Sequence, residues 1–367
     1  MIPSNAIHSA EDARRIARRR LPWMVFDYID GTAGLGTGAA RNRAALDTMT
    51  LRPRVLRDVS ERSLAAEVFG QSAQRPFGIA PMGMCNLSTP GADLMLARLA
   101  ARYSVPLGVS TVASTSMEEI IVEAEGNAWF QLYFSGDGSG TFKLVERARA
   151  AGYETLVLTV DVPEVGRRPR ELRHGFKMPF RIGPRQFVDF ALHPKWSLTA
   201  LAHGKPQMAN FLMDGYEFDR TESRARATWD TLARLRDQWG GNLVVKGVMD
   251  PEDARTAKAA GVDALQVSSH GARQLDSAPA AIEALREIRV AVGDEYPLFY
   301  DSGLQSGEDA IKALTAGADF VFYGRILQFA MAAAGETGLQ QLWGVLSDEF
   351  SITMAQIGVT SVGDLKV

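Results

Sequence analysis

From about residue 77 onward, short apolar runs alternate with longer stretches whose apolar positions recur at helical spacing. The runs Phe77–Ala80, Pro106–Ser110, Ala128–Tyr133, Thr155–Val160, Leu243–Lys246, Ala264–Val267, Pro297–Tyr300 and Phe320–Tyr323 read as strands. Helices are predicted over Ala92–Tyr103, Phe142–Ala151, Pro251–Ala260, Ala278–Ala291 and Gly307–Ala316. Several close on a glycine (Gly152, Gly261, Gly317), the residue a helix C-terminus favours. Eight strands, each followed by a helix, give an α/β chain that closes naturally into a parallel (β/α)8 barrel. A doubly wound open sheet is the alternative, but no glycine-rich dinucleotide turn follows the first strand. Ahead of the barrel, Ala10–Arg20 reads as an amphipathic helix, with Ala13, Ile16 and Ala17 inward and arginines outward.

The alternation breaks once, where about 80 residues separate the fourth and fifth strands. This long loop, roughly 168–224, carries Phe176, Phe180, Phe187, Phe190, Trp196 and Phe211 together with Lys177, Arg181, Arg185, Lys195 and Lys205. Such a composition suits a lid, a contact with a neighbouring subunit, or docking of segment 177–215 to an anionic membrane.

With 367 residues and 46% hydrophobic content, the chain can fill one large barrel, and 1–367 is read as a single domain. A net charge of -3 from interspersed charges argues against nucleic acid as a partner. The single cysteine, Cys85, excludes an internal disulfide, fits a reducing compartment, and reads as a buried structural thiol. No apolar run approaches the ~20 residues of a bilayer span, and the arginine-rich start does not lead into a signal peptide.

Chemistry concentrates at the strand ends. Gln131 and Tyr133 end the third strand, Thr159 and Asp161 the fourth, Lys246 the fifth, and Ser268 and His270 the sixth. In a barrel these ends share the face that carries active sites. Ser268-Ser269-His270-Gly271-Ala272-Arg273-Gln274-Leu275-Asp276 stands out, because its turn glycine lets a proton-transferring histidine and an arginine converge on one carboxylate. A plain surface turn, with Arg273 paired to Asp276, is the competing reading. Asp301-Ser302-Gly303 and Gly324-Arg325, after the last two strands, have the character of a phosphate site. A phosphorylated substrate on a barrel without flavin would leave the same trace there.

The runs Gln131-Leu132-Tyr133, Leu158 to Pro163, Gly166-Arg167-Arg168, Val245 to Val248, Ser268 to Asp276 and Asp301-Ser302-Gly303 resemble the FMN-dependent L-2-hydroxy acid oxidases and dehydrogenases. The resemblance extends from Leu21-Pro22 to Gln356-Ile357-Gly358 and leans towards bacterial lactate and mandelate dehydrogenases, partly through His193 to Leu198. It implies a TIM barrel that oxidises an L-2-hydroxy acid and passes electrons to a quinone or another acceptor. His270 would be the base, with Asp161 stabilising its imidazolium. Arg273 and Arg168 would clamp the substrate carboxylate, and Tyr28 and Tyr133 would bind its carboxylate and hydroxyl. Lys246 would face the flavin N1/O2 edge, while Gln131, Thr159, Ser110, Ser268 and Pro81-Met82-Gly83 would line the ring. Asp301, Ser302, Gly303, Gly324 and Arg325 would hold the phosphate. The family also implies a homotetramer. The single cysteine and the aromatic, basic loop suit a cytoplasmic protein that can lie peripherally on the inner face of the membrane.

Four departures from the family pattern matter. Gln305 replaces an arginine on the phosphate turn, so one charge is lost there. The Gly34-Leu35-Gly36-Thr37-Gly38 run replaces a more polar segment and reads as a mobile loop near Tyr28. Val112 stands where glycolate-oxidising members carry Trp, and Gly83, where oxidases often carry Ala, favours a dehydrogenase. An oxygen-using oxidase that makes hydrogen peroxide, and a flavin-binding barrel without turnover, are the alternatives.

Overall fold

The computed structural model describes residues 6–136, 138–175, 182–212 and 224–366. Phe176, Lys177, Phe180 and Arg181 of the long loop lie outside them. The described chain opens with helices α1 (Ala10–Arg20), α2 (Trp23–Asp30) and α3 (Thr37–Thr48). Ser9 caps α1 by accepting from the Asp12 amide, with acidic residues in the first turn and Arg18, Arg19 and Arg20 in the last. Ala13, Ile16 and Ala17 are buried, as their spacing predicts. A hairpin of β1 (Ala66–Val68) and β2 (Gln71–Ala73) follows, which the sequence pattern did not reveal.

Eight parallel strands then close a barrel: β3 (Phe77–Ile79), β4 (Leu107–Ser110), β5 (Ala128–Tyr133), β6 (Thr155–Thr159), β7 (Asn242–Val248), β8 (Ala264–Val267), β9 (Leu298–Tyr300) and β10 (Phe320–Tyr323). Closure is by β10 on β3, with Val321 opposite Phe77. Outside them run α4 (Ala92–Tyr103), α5 (Met117–Glu123) and α6 (Ser139–Ala150). The long connection holds α7 (Pro169–Arg173), α8 (Pro184–Leu192) and α9 (Pro194–His203). The chain continues through α10 (Trp229–Gln238), α11 (Pro251–Ala259), α12 (Ala281–Val292), α13 (Gly307–Thr315) and α14 (Arg325–Ile357). Every strand and helix expected from the sequence is present, its ends moved by at most three residues. The strands lack polar alternation because helices cover their outer face and side chains fill the inner one.

The hairpin turn uses left-handed backbone at Phe69 and Gly70 (φ 50° and 74°). It inserts the Phe69 ring 5.5 Å from both Trp129 and Phe299 at the N-terminal end of the barrel. That aromatic plug closes one end, so chemistry is confined to the opposite rim. In the long connection, Trp196 donates to the Leu87 carbonyl at 3.2 Å and packs 5.3 Å from Phe190, while Phe211 is buried. The loop aromatics therefore divide: these three pack inward, while Phe187 is 68% exposed beside the exposed Val188, Leu192, Leu198 and Leu201.

Helix α14 breaks at Ala334 and Gly335, where Gly335 takes φ 63°. Its second half brings the fully buried Trp343 to 4.9 Å from the Phe77 ring and 5.7 Å from Tyr103, tying α14 to the barrel closure. Trp343→Ala is expected to lower unfolding stability by about 3–5 kcal/mol in urea titration, the usual cost of emptying a large aromatic site. A loss below ~1 kcal/mol would mean that α14 does not share the barrel core.

Candidate active site

The C-terminal strand ends and the N-terminal helices enclose a cavity of about 400 Å³. Tyr28, Pro81, Met82, Gly83, Gln131, Tyr133, Thr159, Arg168, Lys246, His270, Arg273, Asp301, Ser302, Gly303, Gly324 and Arg325 line it, as expected. The expected Ser110, Asp161 and Ser268 stand one layer behind and act on the lining residues. Ser110 Oγ donates to Gln131 Oε1 at 3.2 Å.

The turn after β8 is unusual. His270, Gly271 and Ala272 all take left-handed backbone (φ 54°, 61° and 59°), where a non-glycine residue costs roughly 1–2 kcal/mol. Three contacts hold it: His270 N–H to Ser268 Oγ at 3.0 Å, Gly271 N–H to Ser302 Oγ at 3.3 Å, and Ala33 N–H to the Ala272 carbonyl at 2.9 Å. The turn sets His270 Nδ1 2.9 Å from Asp161 Oδ1 and Nε2 3.5 Å from the Tyr133 hydroxyl. With Nδ1–H given to Asp161, Nε2 is left as the proton acceptor facing the cavity.

Arg273 does not pair with Asp276. Its Nη1 donates to the carbonyls of Tyr28 and Gly31, each at 2.9 Å, at the C-terminal end of α2. Its Nη2 donates to Glu171 Oε1 at 3.0 Å, and Arg168 Nη1 reaches the same oxygen at 3.0 Å. Burial, and next the charge of Arg168, lower the Arg273 pKa, while Glu171 opposes that drop. Asp276 instead accepts from Leu35 N–H, Thr37 Oγ and Gly38 N–H at 3.0, 2.9 and 2.8 Å. The Gly34–Gly38 run is thus not the mobile loop expected of it, because its amides form a nest pinned to a carboxylate. Burial pushes the phenols of Tyr28 and Tyr133 up to about 12, so both are hydrogen-bond donors at neutral pH.

Lys246 Nζ lies 2.6 Å from Ser268 Oγ and 2.8 Å from Asp301 Oδ2, and Gln266 also donates to Asp301 Oδ2 at 2.6 Å. Burial alone would raise the Asp301 carboxyl, but the Lys246 charge and the bonds from Lys246, Ser268 and Ser302 hold it below the usual carboxylate range. The Asp301 side chain therefore serves Lys246 rather than a phosphate. The turn that follows it, with Ser302 at φ 103° and Gly303 at φ 84°, also lines the cavity.

The donor set fits FMN. Gln131 Nε2 and Thr159 Oγ are buried on the cavity wall with no hydrogen-bond partner, as atoms waiting for a polar ring edge would be. Gly324, Arg325 and Ile326 bring the N-terminus of α14 to the cavity wall, where its first amides suit an anion. Burial, and next the nearby Arg273, press the Arg325 guanidinium down to about 10. Among the described residues Arg325 has one hydrogen bond, 3.0 Å to the Gly271 carbonyl, and no carboxylate. Gln305 also lines this end and brings no charge.

The sequence reading missed three lining or supporting side chains. Glu171 joins the two arginines from the short helix α7. Arg224 stacks 4.5 Å above the Tyr133 ring from the end of the long loop. Gln328 Nε2 is buried at the cavity without a partner, one turn into the helix that Arg325 begins.

A family model described as FMN-dependent dehydrogenase matches residues 17–367. The chain is 38% identical to (S)-mandelate dehydrogenase of Pseudomonas putida, over 99% of this chain and 93% of that protein. It is 35% identical to an L-lactate dehydrogenase of Pseudomonas syringae, over 97% and 96% of the two chains. The crystal structure of the monotopic membrane protein (S)-mandelate dehydrogenase superposes with TM-score 0.92 at 37% identity, covering 98% of this chain and 97% of that one. Mandelate oxidase with benzoyl-formic acid gives TM-score 0.84 at 36% identity, covering 98% and 97%.

Arg325→Met is expected to weaken FMN binding at least tenfold, since a charge-assisted hydrogen bond is worth roughly 1.5–3 kcal/mol. Flavin fluorescence released on dilution measures it, and unchanged affinity would remove Arg325 from the phosphate end. Gln305→Arg should shift the same measurement in the opposite direction.

Proposed function

This chain belongs to the FMN-dependent dehydrogenase family, oxidoreductases acting on CH–OH groups, and we propose that it oxidises an L-2-hydroxy acid of lactate or mandelate type to the 2-oxo acid. The observation that carries this reading is the convergence of the His270–Asp161 dyad and the Arg168–Arg273 pair on one cavity that also has an anion-binding far end. The arginines hold the substrate carboxylate through N–H groups that Glu171 and α2 leave free. Tyr133 and Tyr28 donate to the hydroxyl and carboxylate. His270 Nε2 takes the hydroxyl proton, and Asp161, 2.9 Å behind, stabilises the imidazolium that forms. FMN, when bound, supplies the two-electron oxidant that accepts the α-hydrogen. Lys246 places a buried cation at the expected ring edge, with Asp301 holding it there.

Val112 lines the cavity and leaves space for the α-substituent. A Cβ at Gly83 would come within 2.4 Å of Val112 Cγ2, so the two positions are matched in size. The glycine supports electron transfer to a quinone or similar acceptor over oxygen. We read the protein as a cytoplasmic homotetramer that docks peripherally on the inner face of the membrane. Among the described residues no helix is long and apolar enough to cross a membrane. The support for docking is the outer face of α8 and α9, where Phe187, Val188, Leu192, Leu198 and Leu201 are exposed beside the exposed Arg185 and Lys195.

Two measurements test these assignments. His270→Gln should slow anaerobic bleaching of the flavin by the preferred 2-hydroxy acid by about 10²–10⁴, the usual worth of a general base. A loss within about tenfold would take the base role from His270. For the membrane face, wild-type holoprotein should pellet with phosphatidylglycerol vesicles. The double variant Phe187→Ser, Leu201→Ser should stay in the supernatant with flavin reduction unchanged. Equal partitioning of the two would assign the face to a neighbouring subunit.

A further inference from the structure

Two half-buried guanidiniums that share one cavity repel each other, and Glu171 stands between them. Its Oε1 accepts from Arg168 Nη1 and from Arg273 Nη2, each at 3.0 Å, and Oε2 takes a second bond from Arg168 Nη1 at 3.3 Å. Glu171 is 8% exposed. Its position is built into the backbone: a Cβ at Gly31 would lie 2.9 Å from Oε1, and Gly31 also gives Arg273 its carbonyl. Arg273 spends Nη1 on the end of α2, and Arg168 spends Nη1 on Glu171. Among the described residues, Arg168 Nη2 and Arg273 Nε have no protein partner, so one nitrogen of each guanidinium is left for a ligand. The clamp therefore has two positive charges and one built-in negative charge, a net of one.

We propose that Glu171 is a specificity-determining residue: acting through both arginines, it sets the clamp charge to match a single carboxylate and so selects monocarboxylic over dicarboxylic 2-hydroxy acids. The proposal rests on the reading of Arg168 and Arg273 as the carboxylate clamp. Glu171 touches no substrate itself. Charge and geometry are separable here, because Gln at 171 keeps an oxygen that both arginines can reach while removing the charge. Asp keeps the charge and shortens the reach.

The test uses holoprotein and two dead-end anions of the same shape, oxamate with one charge and oxalate with two, each titrated by the change in flavin absorbance. Glu171→Gln should raise the oxalate-to-oxamate affinity ratio by about tenfold over wild type, since an extra ligand charge gains most when a neighbouring negative charge is removed. Glu171→Asp should leave the ratio at the wild-type value, even as both affinities fall with the shorter bridge. A ratio unmoved by Glu171→Gln, or moved equally by Glu171→Asp, overturns the proposal while leaving the clamp in place. Wild-type protein that binds neither anion removes the clamp assignment itself, and the proposal with it.

Discussion

Three successive left-handed residues, His270, Gly271 and Ala272, are the constraint on which the rest of the site depends. In right-handed or extended backbone, the imidazole and the guanidinium of Arg273 would not meet over one cavity. The strain is held from separate parts of the chain: Ser268 on its own strand, Ser302 on the next strand's turn, and Ala33 from the N-terminal segment. Each contributes a hydrogen bond of modest worth, and the turn exists only where they act together. Gly271 is required for a second reason, because a Cβ there would press to 3.1 Å on Arg325 Nη2.

Around that turn, the site is organised by how fully each buried cation is answered. Lys246 is answered by Asp301, an ionised carboxylate with bonds from three side chains besides. Arg273 and Arg168 are answered in part, by α2 carbonyls and the shared Glu171. Arg325 is answered only by the Gly271 carbonyl. A buried charge without a partner is costly, so the shortfall at each cation measures the ligand charge it awaits. That gradient runs from Lys246, paired with a carboxylate, through the two arginines that share Glu171, to Arg325 with a single carbonyl.

The same logic explains what was legible in the sequence. Strands such as Ala128–Tyr133 were read to the residue because burial on both faces leaves a nearly continuous apolar run, broken here only by Gln131. The His270 motif was legible because its residue types are rare together and follow such a run. The hairpin of residues 66–73 was not, since its strands are three residues long and bury only Val68 and Ala73, too short a pattern to show a period. Glu171 escaped because its meaning lies in two partners, one of them 102 residues away. The Gly34–Gly38 run was misread as mobile for the same reason. Its glycines signal freedom locally, and the carboxylate that removes it sits 238 residues on from Gly38.

The two ends of the cavity are not independent. Arg325 donates to the carbonyl of Gly271, the residue between the turn's base and the backbone that leads to the clamp. An anion that takes up the remaining donors of Arg325 fixes that guanidinium, and through it the Gly271 carbonyl and the torsions on either side. Asn42 of α3 adds a second tie, donating to Ser269 Oγ at 2.9 Å and accepting from Ala281 N–H at 2.8 Å. The segment ahead of the barrel thus carries no base, yet it supplies Tyr28, the carbonyls that aim Arg273, and two of the ties on the turn, from Ala33 and Asn42. The eight strands alone provide a rim of reactive groups. Their convergence on one cavity comes in part from the segment that precedes them, which packs over the rim against the left-handed turn.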